Sequence, residues 1–276
     1  MRSTMWVAAL ALLAACGKDT DGDGLTDKDE LAINTDPNLA DTDGDGLTDP
    51  EEIDLGTNAI AADSDLDGFN DPEEIEGGFD PNDAASRPYI GGWPTLPEAD
   101  KQAIEDGGRS GAAAGIGKLF KRFKLLDQHG DTVDLYDFAH GGRKIVIDIS
   151  AEWCPPCNAM ADYMASEDSD AYYDQYFGDA REAVHDGSLV WITVMPENDD
   201  YAAARGKDLR EWAAEYREPN VPVLADDAYS LTEYAGVQFY PFLVVVNENM
   251  EIEALDDMDG AGTMAVMEAG AEAVGN

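Results

Sequence analysis

Two cysteines separated by two prolines carry the most specific chemistry in this sequence. They close the stretch Ala151-Glu152-Trp153-Cys154-Pro155-Pro156-Cys157, which follows a β-branched, apolar run and precedes residues of helical character. This order predicts a strand, a CxxC motif and then a helix, so that Cys154 lies at a helix N-terminus. There, unpaired amides and the helix dipole favour a thiolate. We therefore expect Cys154 to be the attacking nucleophile and Cys157, one turn on, to resolve the mixed disulfide.

Around the dithiol the sequence resembles the thioredoxin active site, through Asp148, Ala151-Glu152-Trp153-Cys154, Pro156 and Cys157. The segments 124–138 and 223–250 resemble the TlpA-like branch, exported thioredoxins that are often membrane-tethered. The resemblance covers residues 118–275. It implies an α/β thioredoxin-like fold with a central mixed sheet flanked by helices, and a thiol–disulfide oxidoreductase acting on protein thiols or disulfides. The Pro-Pro dipeptide departs from the Gly-Pro of ordinary thioredoxin.

Three more residues take roles from this resemblance. Pro241 occupies the family's cis-proline position, which faces the dithiol beside backbone that pairs with a substrate chain. Asp148, six residues before Cys154, matches the buried acid that helps to deprotonate the resolving thiol. Burial inside a strand would raise the pKa of this acid and suit it to proton transfer. Trp153 would shield the thiolate.

Other uses of a CxxC motif fit this sequence less well. A zinc site would need further ligands, but there is no second CxxC, and His129, His140 and His185 lack paired ligand spacing. A purely structural disulfide stays open, although so short a loop is strained and tends to be reducible. A peroxidase would have Thr where Ala151 stands, and a copper-delivery protein would have CxxxC and a later histidine.

The elements that must position the dithiol can be predicted from apolar patterning. Buried strands are predicted over 144–150, 189–195 and 221–224, and a closing hairpin over 242–247 and 250–254. Helices are predicted over 158–166, 208–216 and 263–274. The run Gly115-Ile116-Gly117-Lys118 lacks the spacing and the preceding strand of a phosphate loop, so it is interpreted as linker.

A second set of candidate ligands lies in a tandem repeat. Its copies, Asp19–Leu31, Asp41–Ile53 and Asp63–Ile75, recur at a spacing of 22 residues. Each fits the twelve-residue calcium loop, with oxygen ligands at positions 1, 3, 5, 7, 9 and 12 and glycine at position 6. The predicted calcium ligands, where position 7 offers its backbone carbonyl, are Asp19, Asp21, Asp23, Leu25, Asp27 and Glu30; Asp41, Asp43, Asp45, Leu47, Asp49 and Glu52; and Asp63, Asp65, Asp67, Phe69, Asp71 and Glu74.

An acidic, disordered spacer would not repeat glycine and glutamate at the same loop positions three times. Paired EF-hands have no room, because ten residues, including Asp36-Pro37, separate Glu30 from Asp41. The phrasing of the repeats resembles the bacterial thrombospondin type 3 repeat over residues 19–83. This resemblance implies a compact, calcium-stiffened stalk in which neighbouring repeats can share ligands.

The first sixteen residues read as an export signal. Arg2 precedes an apolar run from Met5 to Ala15, which is too short to span a bilayer but has the length of a signal-peptide core. The segment ends in Leu-Ala-Ala-Cys, which resembles the bacterial lipobox and implies lipidation of Cys16. The alternative is an ordinary secretory signal that is cleaved near Ala15. Lipidation of Cys16 would leave one cysteine pair, Cys154 with Cys157, for a disulfide.

Charge separates the chain into two modules. The 276 residues carry 59 acidic and 17 basic side chains, a net charge of −42, and residues 17–92 alone hold 23 acids against three bases. Such acidity excludes a nucleic-acid partner, which would need clustered Lys and Arg, but an apolar fraction of 44% is enough for a core. The domains expected are a lipoprotein signal peptide (1–15), calcium-binding repeats (16–83), a linker (84–117) and a thioredoxin-like domain (118–276).

The sequence thus predicts an exported thiol–disulfide oxidoreductase in the cell envelope, periplasmic or on the outer surface. It would be held to the membrane by a lipid at Cys16 and carried on a stalk with calcium as cofactor. The alternative is a calcium-dependent adhesion or scaffolding lipoprotein whose thioredoxin fold is catalytically idle.

Overall fold

The computed structural model describes residues 17–84, 86–109, 111–166, 170–256 and 260–275. They form two compact units, one that ends at Pro88 and one that begins at Tyr89. The predicted signal peptide over 1–15 and the predicted lipidation site, Cys16, lie outside the described residues. Within the described ranges, no helix has the length and apolar character needed to cross a membrane.

The first unit has three short helices within the described residues, each of which begins at position 9 of an acidic loop. Glu51 accepts a hydrogen bond from the Thr48 amide at 2.9 Å, and Glu73 from the Asn70 amide at 3.3 Å, which fixes where two of these helices begin. Each helix ends at a residue with left-handed backbone, namely Asn34, Gly56 and Gly78. The three helices are α1 (Asp27–Ile33), α2 (Asp49–Leu55) and α3 (Asp71–Gly77).

The second unit combines helices with one sheet. Its helices are α4 (Glu98–Gly107), α5 (Pro155–Ala165), α6 (Ala171–His185), α7 (Gly206–Glu215), α8 (Ser230–Ala235) and α9 (Ala261–Val274). Its strands are β1 (Lys124–Asp127), β2 (Thr132–Asp134), β3 (Ile145–Ile149), β4 (Val190–Met195), β5 (Val223–Ala225), β6 (Phe242–Val246) and β7 (Ile252–Leu255). A 3₁₀ turn covers Leu135–Phe138.

The seven strands form a mixed sheet in the order β2-β1-β5-β4-β3-β6-β7. Strand β4 lies parallel to β3 and to β5, and the other neighbouring pairs are antiparallel. Parallel neighbours need long crossover connections, which α5 and α6 supply between β3 and β4, and α7 between β4 and β5. The predicted fold class, a thioredoxin-like α/β fold with a mixed central sheet and helices, is confirmed.

The central strand β3 is buried on both faces, and its alternation decides which residues meet the helices. Ile145, Ile147 and Ile149 pack into the core on one face of the sheet. Val146 packs on the other face, with side chains of α5, α6 and α9. Because side chains alternate along a strand, Asp148 points to the same face as Val146, the face covered by the helix that carries the cysteines.

Part of the stretch expected as linker belongs to the second unit. It contains α4, and Ile104 of that helix joins the core. Lys101 is buried, and its ammonium pairs with Asp137 and, at 3.5 Å, with Asp134. Trp93 Nε1 donates to the Asp127 carboxylate at 2.8 Å. The compact unit therefore starts well before residue 118, because residues from Tyr89 onward supply partners for its buried acids.

Candidate functional site

The cysteines of the CxxC motif lie where the chain leaves β3 and enters α5. A disulfide joins Cys154 to Cys157, with their Cα atoms 5.3 Å apart. Cys154 is the N-cap residue of α5, and its Sγ accepts a hydrogen bond from the Cys157 amide at 3.3 Å. Pro155 and Pro156 lie in the first helical turn, where their missing N–H donors are not needed. The amide and the helix dipole favour a thiolate on Cys154 when the pair is reduced.

A ring of aromatic and acidic side chains lies beside the dithiol. Trp153 Nε1 donates to Glu197 Oε2 at 2.7 Å. The indole stacks on Tyr201, with ring centroids 4.9 Å apart, and meets Tyr240 edge-on at 5.8 Å. These four residues are here called the Trp153 rim. Two of them, Glu197 and Tyr201, come from the segment between β4 and α7, so a loop distant in sequence helps to shape the surface next to Cys154.

Asp148 is the buried acid on β3. Ser150 Oγ donates to its Oδ1 at 2.7 Å, and the carboxylate borders a small cavity that Met160, Trp191 and Trp212 also line. Burial raises the pKa of Asp148 to about 6, against the hydrogen bonds from Ser150 and Trp191, which lower it. A carboxyl group with this pKa can take up and release a proton near neutral pH.

Pro241 lies at the same end of the sheet as the dithiol. The Tyr240–Pro241 peptide bond is cis. Phe242, the next residue, pairs with Ile149 across the antiparallel β3 and β6, and Ile149 is the last residue of β3 before the motif. Strand register therefore places Pro241 next to the end of β3 from which the chain continues to Cys154.

The acidic loops gather carboxylates in two overlapping groups. In the first repeat, Asp19, Asp21 and Asp23 have ligand atoms within 4.8 Å of one another, and so do Asp23, Glu30 and Asp49. The second repeat forms the corresponding groups from Asp41, Asp43 and Asp45, and from Asp45, Glu52 and Asp71. In the third repeat, the described residues give the group of Asp63, Asp65 and Asp67. The position-5 aspartate thus joins both groups in the first two repeats.

The calcium-loop pattern groups each position-9 aspartate with the acids of its own loop, but two of the three lie beside acids of the preceding repeat. Asp49 accepts hydrogen bonds from the Thr42 amide and hydroxyl, both at 2.9 Å, and joins the acids of the preceding repeat. Asp71 repeats this arrangement with Ser64 and the second repeat. Asp27, which has no repeat before it, bonds Thr20 and Lys18 and joins no such group within the described residues. Stacking of the repeats, which the loop pattern does not encode, causes this change.

The acidic groups fit a hard cation because their oxygens are buried without donors. Both carboxylate oxygens of Glu30, Glu52 and Glu74 are buried and accept no hydrogen bond from the described residues. Burial and neighbouring aspartates raise the pKa of Glu30 and Glu74 to about 7 and that of Glu52 to about 8. Six aspartates also have one buried carboxylate oxygen that accepts no hydrogen bond from the described residues, namely Asp21, Asp23, Asp43, Asp45, Asp65 and Asp67. Oxygen-only sets of this kind suit Ca²⁺.

Comparison with known families assigns the second unit. A model of the family described as Redoxin matches residues 116–272, more than half of the chain. The chain belongs to the Redoxin family. The redoxin domain is a thioredoxin-like oxidoreductase, as the sequence predicts.

The repeats of the first unit also match a known family. The description of that family is bacterial TSP3 repeat, and the match covers residues 19–40 and 41–58. The third loop lies outside the match, although Asp63, Asp65 and Asp67 form the same kind of group as the aspartates at positions 1, 3 and 5 of the first two loops. Among curated proteins, none is significantly similar to this chain.

Solved structures similar to the redoxin domain are distant in sequence. The thioredoxin domain of a thiol–disulfide oxidoreductase from Bacteroides vulgatus is 18% identical, with 56% of this chain and 97% of that chain covered and a TM-score of 0.41. A thiol:disulfide interchange protein from Bacteroides sp. is 18% identical, with 60% and 93% covered and a TM-score of 0.42. An exposed lipoprotein thioredoxin from Streptococcus pneumoniae is 22% identical, with 54% and 98% covered and a TM-score of 0.36. The family assignment depends on the family model and not on these likenesses.

The redoxin domain brings together the residues that the sequence singled out. Cys154, Cys157 and Trp153 lie at the start of α5, Asp148 lies on the strand before them, and Pro241 lies at the adjoining strand. Sequence reasoning missed Glu197, Tyr201 and Tyr240 of the Trp153 rim. Tyr240 could have been found from its place before the cis-proline position, but no local pattern marks the other two.

Proposed function

We propose that this protein exchanges disulfides with partner proteins through Cys154 and Cys157, at the surface of a bacterial cell envelope. The observation that carries the proposal is the position of Cys154 at the N-cap of α5, with the Cys157 amide aimed at its sulfur. Such a thiol ionises readily, and a thiolate is the species that attacks a disulfide.

The exchange runs in two steps whose electrons balance. The Cys154 thiolate attacks one sulfur of the partner disulfide, forming a mixed disulfide and releasing the other partner sulfur as a thiolate. Cys157 then loses its proton and attacks Cys154 Sγ, which breaks the mixed disulfide and releases the second partner thiolate. The partner gains two electrons, and the Cys154–Cys157 disulfide re-forms. The reverse sequence oxidises a partner dithiol.

Neighbouring residues support these steps. Asp148 would accept the proton of Cys157, since its raised pKa matches this task near neutral pH. Trp153, held by Glu197 and Tyr201, would shield the Cys154 sulfur from water. Pro241 would lie against the bound partner. The extended backbone of the partner would form hydrogen bonds with the backbone of Tyr240, the residue before Pro241. The Trp153 rim would then form one wall of the partner site.

Insulin reduction with the purified protein tests this function. Cys154→Ser should abolish turnover above the background of free dithiol, whereas Cys157→Ser should accumulate mixed disulfides with the partner. Ser188→Ala, a change far along the chain from the motif, is the control and should keep full turnover. Wild-type turnover no faster than free dithiol would favour the scaffolding alternative.

The repeats would hold Ca²⁺ through the carboxylates of successive loops, and the bound ions would neutralise acids that otherwise repel one another. Support comes from the grouped carboxylates whose buried oxygens lack donors among the described residues, above all Glu30, Glu52 and Glu74. Binding would be linked to folding of the repeat unit, which would act as a stalk for the redoxin domain. Calcium titration calorimetry tests this, and no binding heat at millimolar calcium would contradict it.

A lipid on Cys16 would anchor the protein to the membrane. The support is the apolar run that ends in Leu-Ala-Ala-Cys, together with the odd cysteine that lipidation accounts for. Cys16→Ala should move the protein from the detergent phase to the aqueous phase or block its processing. Unchanged partitioning would contradict the anchor.

A further inference from the structure

The third acidic loop differs from the first two in its C-terminal neighbour. Each of the first two loops receives an aspartate from the next repeat, Asp49 beside Glu30 and Asp71 beside Glu52. One repeat spacing of 22 residues after Asp71, the sequence has Trp93. The described residues give Glu74 no third carboxylate of this kind. The last loop therefore has one acid fewer than its predecessors.

The chain nevertheless begins the turn of a fourth repeat. Ser86 Oγ accepts a hydrogen bond from the Asp80 amide at 3.0 Å. Thr42 accepts the same bond from Asp36 at 2.9 Å, and Ser64 from Asn58 at 2.7 Å. Ser86 is thus in register with position 2 of the loops, which puts Arg87 in register with the position-3 aspartates Asp43 and Asp65.

The side chain of Arg87 lies beside the third loop. Its Nε lies 4.0 Å from Asp67 Oδ2, and the Asp67 side chain is only 2% exposed. The guanidinium also lies over the Phe69 ring, 5.9 Å from the centroid. Asp67 is the equivalent of Asp23 and Asp45, the acids that join both carboxylate groups in the earlier repeats. A cationic side chain therefore contacts the acid that a following repeat would otherwise approach with an aspartate.

We propose that Arg87 closes the array: it lies beside Asp67, where a following repeat would supply an aspartate. The third loop should therefore bind calcium more weakly than the two loops before it. Two effects act in the same direction: one carboxylate is missing, and a fixed positive charge repels the ion. In addition, the positive charge of Arg87 neutralises part of the negative charge of the third loop. This loop therefore does not require a further repeat beside it. This inference rests on the calcium binding proposed above.

Two glycine amides can report on the loops separately. Gly46 donates to Asp41 Oδ2 at 3.1 Å, and Gly68 donates to Asp63 Oδ2 at 3.0 Å. Since both acceptors are predicted ligands, each amide resonance should shift when calcium binds its loop. A calcium titration of the ¹⁵N-labelled full chain, followed through Gly46 and Gly68, compares the loops within one molecule. We expect the Gly68 midpoint at about tenfold higher calcium, equivalent to ~1.4 kcal/mol.

Substitution of Arg87 separates its charge from the missing acid. Arg87→Gln should lower the Gly68 midpoint by roughly fivefold and leave the Gly46 midpoint in place. Arg87→Lys, which keeps the charge, should leave both midpoints near their wild-type values. Lys28→Gln removes the same charge from an exposed position on α1 and is the control, with no effect on Gly68 beyond its effect on Gly46.

The outcomes distinguish this inference from the calcium proposal itself. If neither amide shifts, calcium binding by the repeats is wrong. If both shift but their wild-type midpoints coincide, the closing role of Arg87 is wrong, and this comparison needs no substitution. A Gly68 midpoint that Arg87→Gln leaves unchanged, or that Lys28→Gln lowers equally, would also overturn the role of Arg87.

Discussion

In the second unit, which contains the redoxin domain, buried acids are surrounded by donors from the same unit, whereas the buried glutamates of the repeat unit are surrounded by other acids. Asp127 shows the first case. It is fully buried, and it accepts hydrogen bonds from the amides of His129, Gly130 and Asp131 and from Trp93 Nε1, all at 2.8–2.9 Å. Such donors replace the water that the carboxylate loses on burial.

The glutamates of the repeats show the second case. Glu30, Glu52 and Glu74 are as fully buried as Asp127, yet both oxygens of each lack a donor in the described part of the chain. Their nearest charged neighbours are aspartates, which raise their pKa further after burial has raised it. Ionised carboxylates in this arrangement destabilise the unit unless a cation joins them.

Apolar burial differs in the same way. In the described part of the repeat unit, the buried apolar residues are Ala59 and Pro81, while Leu31, Ile53 and Ile75 are 67%, 48% and 36% exposed. The redoxin domain instead buries apolar side chains on both faces of its sheet. The redoxin domain is thus stabilised by an apolar core, whereas the repeat unit lacks one, and the cation binding proposed above would stabilise it instead.

The largest expected effect breaks the repeat unit alone. Replacing Glu30, Glu52 and Glu74 together with Gln should weaken calcium binding by more than ~100-fold, because even residues that only orient a metal ligand are worth 10–100-fold. Asp54→Asn with Glu76→Gln removes exposed acids from the same helices and should change affinity little. Calorimetry measures both. Insulin reduction by the triple variant should equal wild type, and a parallel loss of turnover would contradict the separation of the units.

The next effect is on the stability of the redoxin domain. Lys101→Met should lower its free energy of unfolding by about 3 kcal/mol, because buried Asp134 and Asp137 lose a cationic partner. Lys207→Met, which removes a lysine from an exposed pair with Glu211, should cost less than ~0.5 kcal/mol. Urea unfolding followed by tryptophan fluorescence measures the difference. Equal effects of the two substitutions would mean that the segment around α4 does not stabilise the domain.

A smaller effect depends on pH and concerns Asp148. Its pKa in the folded protein is raised to about 6 from 3.8, so its favourable contribution is complete at low pH and is lost as pH rises through 6. Asp148→Asn should therefore be more stable than wild type by up to about 3 kcal/mol above pH 7, and no more stable near pH 4. Thermal unfolding against pH checks the sign. The same variant should resolve mixed disulfides more slowly, and an unaltered rate would remove Asp148 from the proton transfer.

The smallest effect concerns the Trp153 rim. Trp153→Phe keeps an aromatic ring but loses the hydrogen bond to Glu197, so it should cost about 1 kcal/mol of stability. Tyr201→Phe keeps the stacking on Trp153 and is the matched control, with a change below ~0.5 kcal/mol. Differential scanning calorimetry resolves effects of this size. A larger loss of stability from Tyr201→Phe than from Trp153→Phe would mean that the Tyr201 hydroxyl, and not Glu197, makes the main stabilising interaction of the rim.

The parts of the fold that the sequence predicted are those with local signals. The β-branched runs at β3 and β4 and the hairpin of β6 and β7 were predicted because apolar patterning is a property of neighbouring residues. Helix α6 was missed, although Tyr173, Phe177, Ala180 and Val184 recur along it at helical spacing and belong to the packed core. Residues from Tyr89 to α4 were expected as linker because Gly and Pro dominate their first half, although Trp93 and Lys101 bind buried acids.

For the candidate sites, the same division holds. The CxxC motif and the loop aspartates are local patterns, and the aspartates at positions 1, 3 and 5 lie together in each repeat. Asp49 and Asp71 join the preceding repeats through stacking, and Glu197 and Tyr201 reach Trp153 from beyond β4. Contacts of this kind depend on tertiary packing, which a single sequence does not display.

Hydrogen exchange with and without calcium tests the central contrast most directly, because it reads both units in one molecule. Amides of α1, α2 and α3 should be protected in millimolar calcium and should exchange rapidly after chelation, whereas amides of β3, β4 and β6 should be equally protected in both conditions. Protection of the repeat helices that survives chelation, or loss of protection in the redoxin strands, would contradict the account.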